Sequence, residues 1–493
     1  MRYLFSVRPP PALWAKQAEA PDIVRTFGFA ESQGNAERRL WGRAVPFWKN
    51  ERVTPAQIII LGFFLMILTG AALLMLPWST SEWGGAAPLD ALFTAASATC
   101  VTGLVVHDTA LYWTPFGQGV ILALIQVGGM GVVTVAVAVS MLAGKKIGLK
   151  QRWIMQESIS APQVGGIVRQ TRFILKTALL IETVGAMLLA LRLCPRFGLG
   201  KGLWYAVFHS VSAVCNAGFD LMGTAAAPCA SLTGYVGDPL VSGTVALLIV
   251  LGGVGFLTWH DVRQHGVHLR RYRLQSKLIL STTLALLLGA FLFFWLYEFR
   301  QPQWRGLSAG ERGLAAMFQA VTPRTAGFNT VDLKDLSQPG QLFTIALMLA
   351  GGSPGSTAGG FKTTTLAVML LGVGAIFRRR DSACCFGRRV PDEALRSASA
   401  IFLLYILLFL TGGMLISGLD GVPILSALFE SASAIGTVGL SLGITAELSA
   451  ASRLILIFLM YFGRVGGLTM IYAVASGAAP GIAQLPRERV TVG

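Results

Sequence analysis

Residues 91–104 read ALFTAASATCVTGL, and the pattern returns as AVFHSVSAVCNAGF at 206–219, AAMFQAVTPRTAGF at 315–328 and ALFESASAIGTVGL at 427–440. Aligned on their glycine, the copies put Gly103, Gly218, Gly327 and Gly439 in one column, followed by Leu104, Phe219, Phe328 and Leu440. Ten residues upstream stand Phe93, Phe208 and Phe429, while the third copy is shorter by one, with Phe318 nine before Gly327. Each copy is an apolar half-helix running into a small-residue loop. A dozen helical residues rise about 18 Å, against a hydrocarbon core of about 30 Å. Such a segment dips into a membrane and turns back. Irregular backbone at that depth survives only where protein buries it or where it lines an aqueous path.

Backbone carbonyls are what such a loop offers, and a ring of them replaces the hydration shell of a monovalent cation. A glycine takes backbone conformations barred to other residues and keeps the lumen free of a Cβ. Half-helices aimed at a central cavity also bring the negative ends of their dipoles toward it. The pattern therefore implies a cation pore. Its candidate ion-binding backbone is Val101, Thr102 and Gly103; Asn216, Ala217 and Gly218; Thr325, Ala326 and Gly327; and Thr437, Val438 and Gly439.

Composition sets the surroundings. The 493 residues are 54% hydrophobic and 13% charged, with mean hydropathy +0.62, whereas a soluble domain carries about 25% charged residues. The chain reads as a polytopic membrane protein. Its formal charge of +16 lies in separate clusters: Arg38 to Arg52, Lys145 to Arg152, Arg263 to Lys277, and Arg378 to Arg396. These clusters fall between hydrophobic pairs, as the positive-inside rule requires, so the charge reports topology and not nucleic-acid binding. None of the six cysteines has the spacing of a zinc or thioredoxin-type site. Cys100 and Cys215 fit small-residue packing, Cys194 and Cys229 would lie on the outer side and could pair, and Cys384 and Cys385 read as free cytoplasmic thiols.

Residues 1–54 hold no apolar run of signal-peptide type and read as a cytoplasmic tail, with an interfacial helix near 37–48. Beyond it the unit is helix, half-helix with loop, helix. The hydrophobic runs are 56–76, 89–103 and 116–142; then 173–193, 203–218 and 240–259; then 278–297, 313–327 and 342–377; then 400–416, 424–439 and 454–475. The expected fold is an all-α polytopic membrane protein of four tandem repeats, with eight transmembrane helices and four re-entrant half-helices around a central pore. Its repeats occupy 55–145, 146–265, 266–380 and 381–476, with a C-terminal tail at 477–493. An even number of spans and the basic clusters place both termini in the cytoplasm. Asp108 and Asp332, five residues after a glycine of the column, and Asp220, two after, are placed either to concentrate cations at the outer mouth or simply to cap loops.

The returning helices carry a second signature: QVGGMGVVT (126–134), VLGGVGFLT (250–258), LAGGSPGST (349–357) and YFGRVGGLT (461–469). Gly128, Gly252, Gly351 and Gly463 align, and glycines here suit bending or close packing. In the third copy Gly351, Gly352, Pro354, Gly355, Gly359 and Gly360 forbid a continuous helix, which makes this polar stretch, with Lys362, a gate candidate. In the fourth, Arg464 replaces a small residue, and an arginine inside an apolar helix has function as its default reading. It either faces the ion path, forms a buried ion pair, or braces the glycine-rich loop through carbonyls.

The segments ATCVTGL, AVCNAGF, TPRTAGFNT and SAIGTVGLS, in order, resemble the four filter segments of the Ktr/Trk/HKT superfamily of potassium transporters, over roughly residues 55–475. The resemblance implies potassium, with sodium as a second candidate ion, bound at the filter carbonyls. It implies that residues 351–360 are an intramembrane gate loop, and that Arg464 lies beneath the filter. It further implies a homodimer of pore subunits in the cell inner (cytoplasmic) membrane, regulated by a cytosolic ring of nucleotide-binding subunits (ATP/ADP, NAD). No cofactor is expected in this chain. Trk-type members carry an additional upstream pair of helices, which 54 polar residues do not supply, so the Ktr-type membrane subunit is the nearer likeness. Sodium-preferring HKT-type members carry serine where this chain has Gly103. Two other classes are weighed. A carrier with discontinuous helices would have inverted repeats, whereas these four share one orientation. An enzyme would need a nucleophile–base pair or metal constellation, and neither HExxH nor CxxC occurs.

Overall fold

The computed structural model describes residues 54–82, 84–142, 148–158, 165–467 and 469–470. The N-terminal tail expected up to residue 54, its interfacial helix, the end of the fourth return helix and the C-terminal tail fall almost wholly outside the described residues.

The chain is mostly helical. α1 (Pro55–Leu74) leads to the short α2 (Pro88–Cys100), the single turn α3 (Thr109–Tyr112), α4 (Pro115–Met130), α5 (Val132–Leu142) and α6 (Leu149–Ser158). Then follow α7 (Ile167–Phe197), the short α8 (Leu199–Val214), α9 (Pro239–Val254) and α10 (Phe256–His265). Next are α11 (Leu274–Leu296), the short α12 (Ala309–Val321), α13 (Gln338–Leu349) and α14 (Thr363–Phe377). A hairpin of two-residue strands, β1 (Cys384–Cys385) and β2 (Arg388–Arg389), precedes α15 (Asp392–Asp420), the short α16 (Ile424–Gly436) and α17 (Ala450–Val465).

Local chemistry starts these helices where they start. Thr54 and Gln57 form a capping box on α1, and each returning helix opens on a side-chain cap: Thr114 for α4, Asp238 for α9, Ser337 for α13 and Ser449 for α17. Among the described residues four helices are long and apolar enough to cross a membrane, Pro55–Leu74, Ile167–Phe197, Leu274–Arg300 and Asp392–Asp420, or up to six where each of two bent helix pairs counts as one span. Each packs on the short helix that follows it, α1 on α2, α7 on α8, α11 on α12 and α15 on α16. The first helix of each return also packs against the next short helix, α4 on α8, α9 on α12, α13 on α16, and α17 back on α2. The core lies among the short helices, where Phe93, Phe208, Phe318 and Phe429 are all fully buried.

The returns differ from the continuous helices expected at 116–142 and 240–259. α4 and the start of α5 meet at 97°, and α9 and α10 at 93°. The joints are Gly131 (φ 83°) and Gly255 (φ 95°); α17 ends at Gly466 (φ 91°), and Gly355 in the third copy has φ 66°. Gly131, Gly255 and Gly466 stand three residues after the first glycine of the return signature and Gly355 four, and a residue in left-handed backbone ends a right-handed helix. The interruption is therefore common to all four returns. At the first glycine of the signature the reason is close packing: a Cβ on Gly128, Gly252 or Gly463 would overlap the carbonyl oxygen of Thr99, Val214 or Ile435 at the end of a short helix.

Candidate ion-binding site

Two residues before its column glycine each segment carries a left-handed residue, in all four copies: Val101 (φ 57°), Asn216 (φ 57°), Thr325 (φ 67°) and Thr437 (φ 50°). The glycines follow at φ 93°, 70°, 81° and 91°. Non-glycine residues rarely hold such backbone without support. The support is a hydroxyl from the short helix itself. The N–H of Gly103 donates to Ser97 Oγ at 3.1 Å and that of Gly439 to Ser433 Oγ at 3.0 Å; Ser212 Oγ donates to the Phe219 carbonyl at 2.7 Å, and Thr322 Oγ1 to that of Phe328. These hydroxyls form a column six residues before the glycine, five in the shortened third copy. The sequence reading overlooked it, although the alignment displays it.

The four segments meet one another in a cycle. A β-carbon on Gly103 would collide with the Ala217 carbonyl oxygen, one on Gly218 would lie 2.8 Å from Ala326 O, and one on Gly327 2.6 Å from Val438 O. One on Gly439 would collide with Thr102 O, which returns the cycle to the first segment. The structure thus brings Thr102, Gly103, Ala217, Gly218, Ala326, Gly327, Val438 and Gly439 together, with Val101, Asn216, Thr325 and Thr437 buried directly behind them. The carbonyl preceding each glycine abuts the glycine of its neighbour.

Above the glycines opens a cavity of about 520 Å³ with all four on its wall, together with Asp108, Asp220, Asp332 and Lys334. These acids cap loops, one of the two roles offered by the sequence. Asp108 Oδ1 accepts from the N–H groups of Ala110 (2.8 Å) and Leu111 (3.0 Å), and its Oδ2 from Cys229 N–H at 2.6 Å. Asp332 accepts from Lys334 N–H at 3.0 Å, and Asp220 from Met222 N–H at 3.0 Å. Burial pushes the Asp220 carboxyl up to about 7; the Met222 N–H opposes the shift and the charge of Asp108 adds to it.

On the other side of the ring lies the glycine-rich loop between α13 and α14. Its ends are closed by Gly351 N–H to Phe361 O at 3.0 Å, and Gly352 N–H reaches Gly359 O at 3.4 Å. It is tied to the second return by Ser353 N–H to Gly253 O (3.0 Å) and by Phe256 N–H to Gly355 O (2.8 Å); Thr357 Oγ1 donates to Val214 O at the end of α8 (2.9 Å). Gly359 and Gly360 pack against Thr437 and Gly436, and Lys362 Nζ folds onto its own loop, donating to Ala358 O at 2.8 Å. The guanidinium of Arg464 donates to Thr357 O in this loop and to Gly128 O and Gly129 O in the first return. Arg464 and the loop thereby join all four returns. The segment is irregular, as the sequence requires, and these hydrogen bonds latch it to its neighbours.

All six cysteines are free thiols, Cys194 and Cys229 among them. Cys215 fills the space left by the missing side chain of Gly129.

Several helices apolar enough to span a membrane and an acid-bearing cavity beside four backbone segments are the build of a membrane protein that handles cations, and the family match makes it a cation transporter and not an enzyme. The chain belongs to the TrkH family of cation transport proteins, whose family model matches residues 48–479. It is 40% identical over 428 residues to Ktr system potassium uptake protein B of Bacillus subtilis, covering 86% of this chain and 94% of that protein. It is 37% identical over 449 residues to the potassium/sodium uptake protein NtpJ of Enterococcus hirae, covering 90% and 98%. The fold matches the crystal structure of the potassium transporter TrkH from Vibrio parahaemolyticus with a TM-score of 0.66, at 21% identity, over 86% of this chain and 85% of that one.

Proposed function

We propose that the chain takes up potassium ions across the cell membrane through a filter formed by its four glycine segments. The observation that carries this reading is the cyclic contact of Thr102 O with Gly439, Ala217 O with Gly103, Ala326 O with Gly218 and Val438 O with Gly327. Such a ring offers carbonyl oxygens in place of a cation's water. The ion-binding backbone is Val101 to Gly103, Asn216 to Gly218, Thr325 to Gly327 and Thr437 to Gly439. It is carried on four repeats, 55–145, 146–265, 266–380 and 381–476, with both termini cytoplasmic. The carboxylates of the outer cavity raise the local cation concentration.

In this reading the loop of Gly351, Gly352, Gly355, Gly359, Gly360 and Lys362 is the gate, with Arg464 as its latch. A cytosolic nucleotide-binding ring (ATP/ADP, NAD) controls the latch from the basic inner loops, and the membrane subunit works as a homodimer. The names of the relatives as parts of a Ktr system support a partner. Sodium is the second candidate ion, favoured by the relative named as a potassium/sodium uptake protein. The test is growth rescue of potassium-uptake-deficient cells on low potassium. Rescue by the chain with its system partner supports the reading, and expression in the membrane without rescue contradicts it.

A further inference from the structure

One residue after each repeated phenylalanine of the short helices stands a different side chain: Thr94, His209, Gln319 and Glu430, all buried. In the second copy His209 Nδ1 lies 2.7 Å from the carbonyl oxygen of Tyr205. A carbonyl only accepts, so Nδ1 carries the proton and Nε2 is left as an acceptor. Nε2 receives the backbone N–H of Leu221 at 3.3 Å. In the fourth copy Glu430 Oε1 receives the N–H of Leu442 at 3.2 Å and the hydroxyl of Ser441 at 2.5 Å, while Oε2 receives Thr445 Oγ1 at 2.8 Å. His209 and Glu430 each lie nine residues before their glycine, and Leu221 and Leu442 each three after it. Two unlike acceptors therefore hold the same backbone amide at the same register.

The third copy gives the contrast. It is shorter by one residue, so Gln319 is out of register, and neither its side-chain oxygen nor its nitrogen finds a partner among the described residues. Thr330, three after Gly327, has an unpartnered hydroxyl as well. A glycine of positive φ imposes little restraint of its own. In the second and fourth segments the backbone is gripped on both sides of it: at the glycine or the residue after it by Ser433 or Ser212 of the short helix, and three residues beyond the glycine by Glu430 or His209.

Resting on the filter reading, we propose that His209 and Glu430 are positioning residues that set the ion preference of the second and fourth segments by fixing the backbone just outside Gly218 and Gly439. The acceptor is what matters, not the ring or the charge. Replacing either side chain by alanine leaves a buried N–H without a partner and frees the glycine to relax around a smaller ion.

The test is initial potassium and sodium flux per assembled transporter in liposomes. His209→Ala and Glu430→Ala should lower the potassium-over-sodium ratio about ten-fold, the effect of losing one buried hydrogen bond from a preorganised ring. His209→Gln and Glu430→Gln, which restore an oxygen acceptor, should recover most of that ratio. If the alanine variants do not assemble, His209→Leu and Glu430→Leu fill the volume without an acceptor and should show the same loss. Alanine and glutamine variants with equally reduced ratios would overturn the proposal. So would alanine variants of wild-type ratio while Gly218→Ser and Gly439→Ser alter it, or a chain that assembles only with an acceptor at these positions. If the serine variants also leave the ratio unchanged, the filter reading itself falls, and the positioning role falls with it.

Discussion

The carbonyl oxygen of Thr102 lies where the side chain of any residue other than glycine at position 439 would begin. The first and last segments of the site are thereby in contact although most of the described chain lies between them. The same relation holds between Gly103 and Ala217 O. Gly103→Ser should therefore displace a carbonyl and relax discrimination, lowering the potassium-over-sodium uptake ratio about ten-fold. Whole-cell uptake at matched expression measures it, and an unchanged ratio removes Gly103 from the filter.

Arg464 joins Thr357 O to the carbonyls of Gly128 and Gly129. Arg464→Gln should release this junction and remove a fixed charge that repels passing cations, raising flux per transporter at least several-fold. Reduced flux through intact protein would mean the guanidinium stands outside the path.

The loop is held to the second return chiefly through Ser353, Gly355 and Thr357. Deleting residues 353–357 should leave a pore that conducts faster and ignores its cytosolic partner. Potassium flux into liposomes with and without the partner decides this; a slow, still regulated deletion would place the gate elsewhere.

Asp220 has its carboxyl raised to about 7, mainly by burial. Its negative charge therefore appears as pH rises through that value. Uptake from dilute potassium should increase between about pH 6 and about pH 8 as the outer cavity gains a charge, and Asp220→Asn should flatten that step. Equal slopes in both proteins would show that Asp220 does not serve the mouth.

The bends of the returns rest on left-handed glycines, but the two joints differ in room. A β-carbon on Gly255 would stand 2.8 Å from Pro354 O, whereas on Gly131 it meets nothing nearer than Ser158 Oγ at 3.5 Å. Gly131→Ala should cost about 1 kcal/mol or somewhat more from backbone strain alone. Gly255→Ala should cost more, and thermal unfolding in detergent should rank the two in that order.

The glycine column and the phenylalanines at its head were legible because each recurs in all four copies, the phenylalanine one residue closer in the third, and burial of Phe93, Phe208, Phe318 and Phe429 follows from that recurrence. The bends at Gly131 and Gly255 were not, since apolar residues run on across both joints and hydropathy is blind to a change of direction. The hydroxyls of Ser97, Ser212, Thr322 and Ser433 were hidden differently. Among alanines and threonines a serine reads as small-residue packing, and only its bond to the segment reveals its work. The latch of Arg464 onto Gly128 spans segments too far apart in sequence for any local pattern to register.

On the filter reading, ions pass down their gradient through a potassium-preferring carbonyl ring. The direct measurement is cation flux into liposomes holding the purified chain with its partner, under imposed potassium or sodium gradients with protons and the counter-ion varied independently. Potassium flux should exceed sodium flux, follow the electrochemical gradient of the ion alone, and lose its preference in Gly439→Ser. Flux strictly coupled to protons or sodium, or equal passage of both ions in wild type and Gly439→Ser, would contradict it.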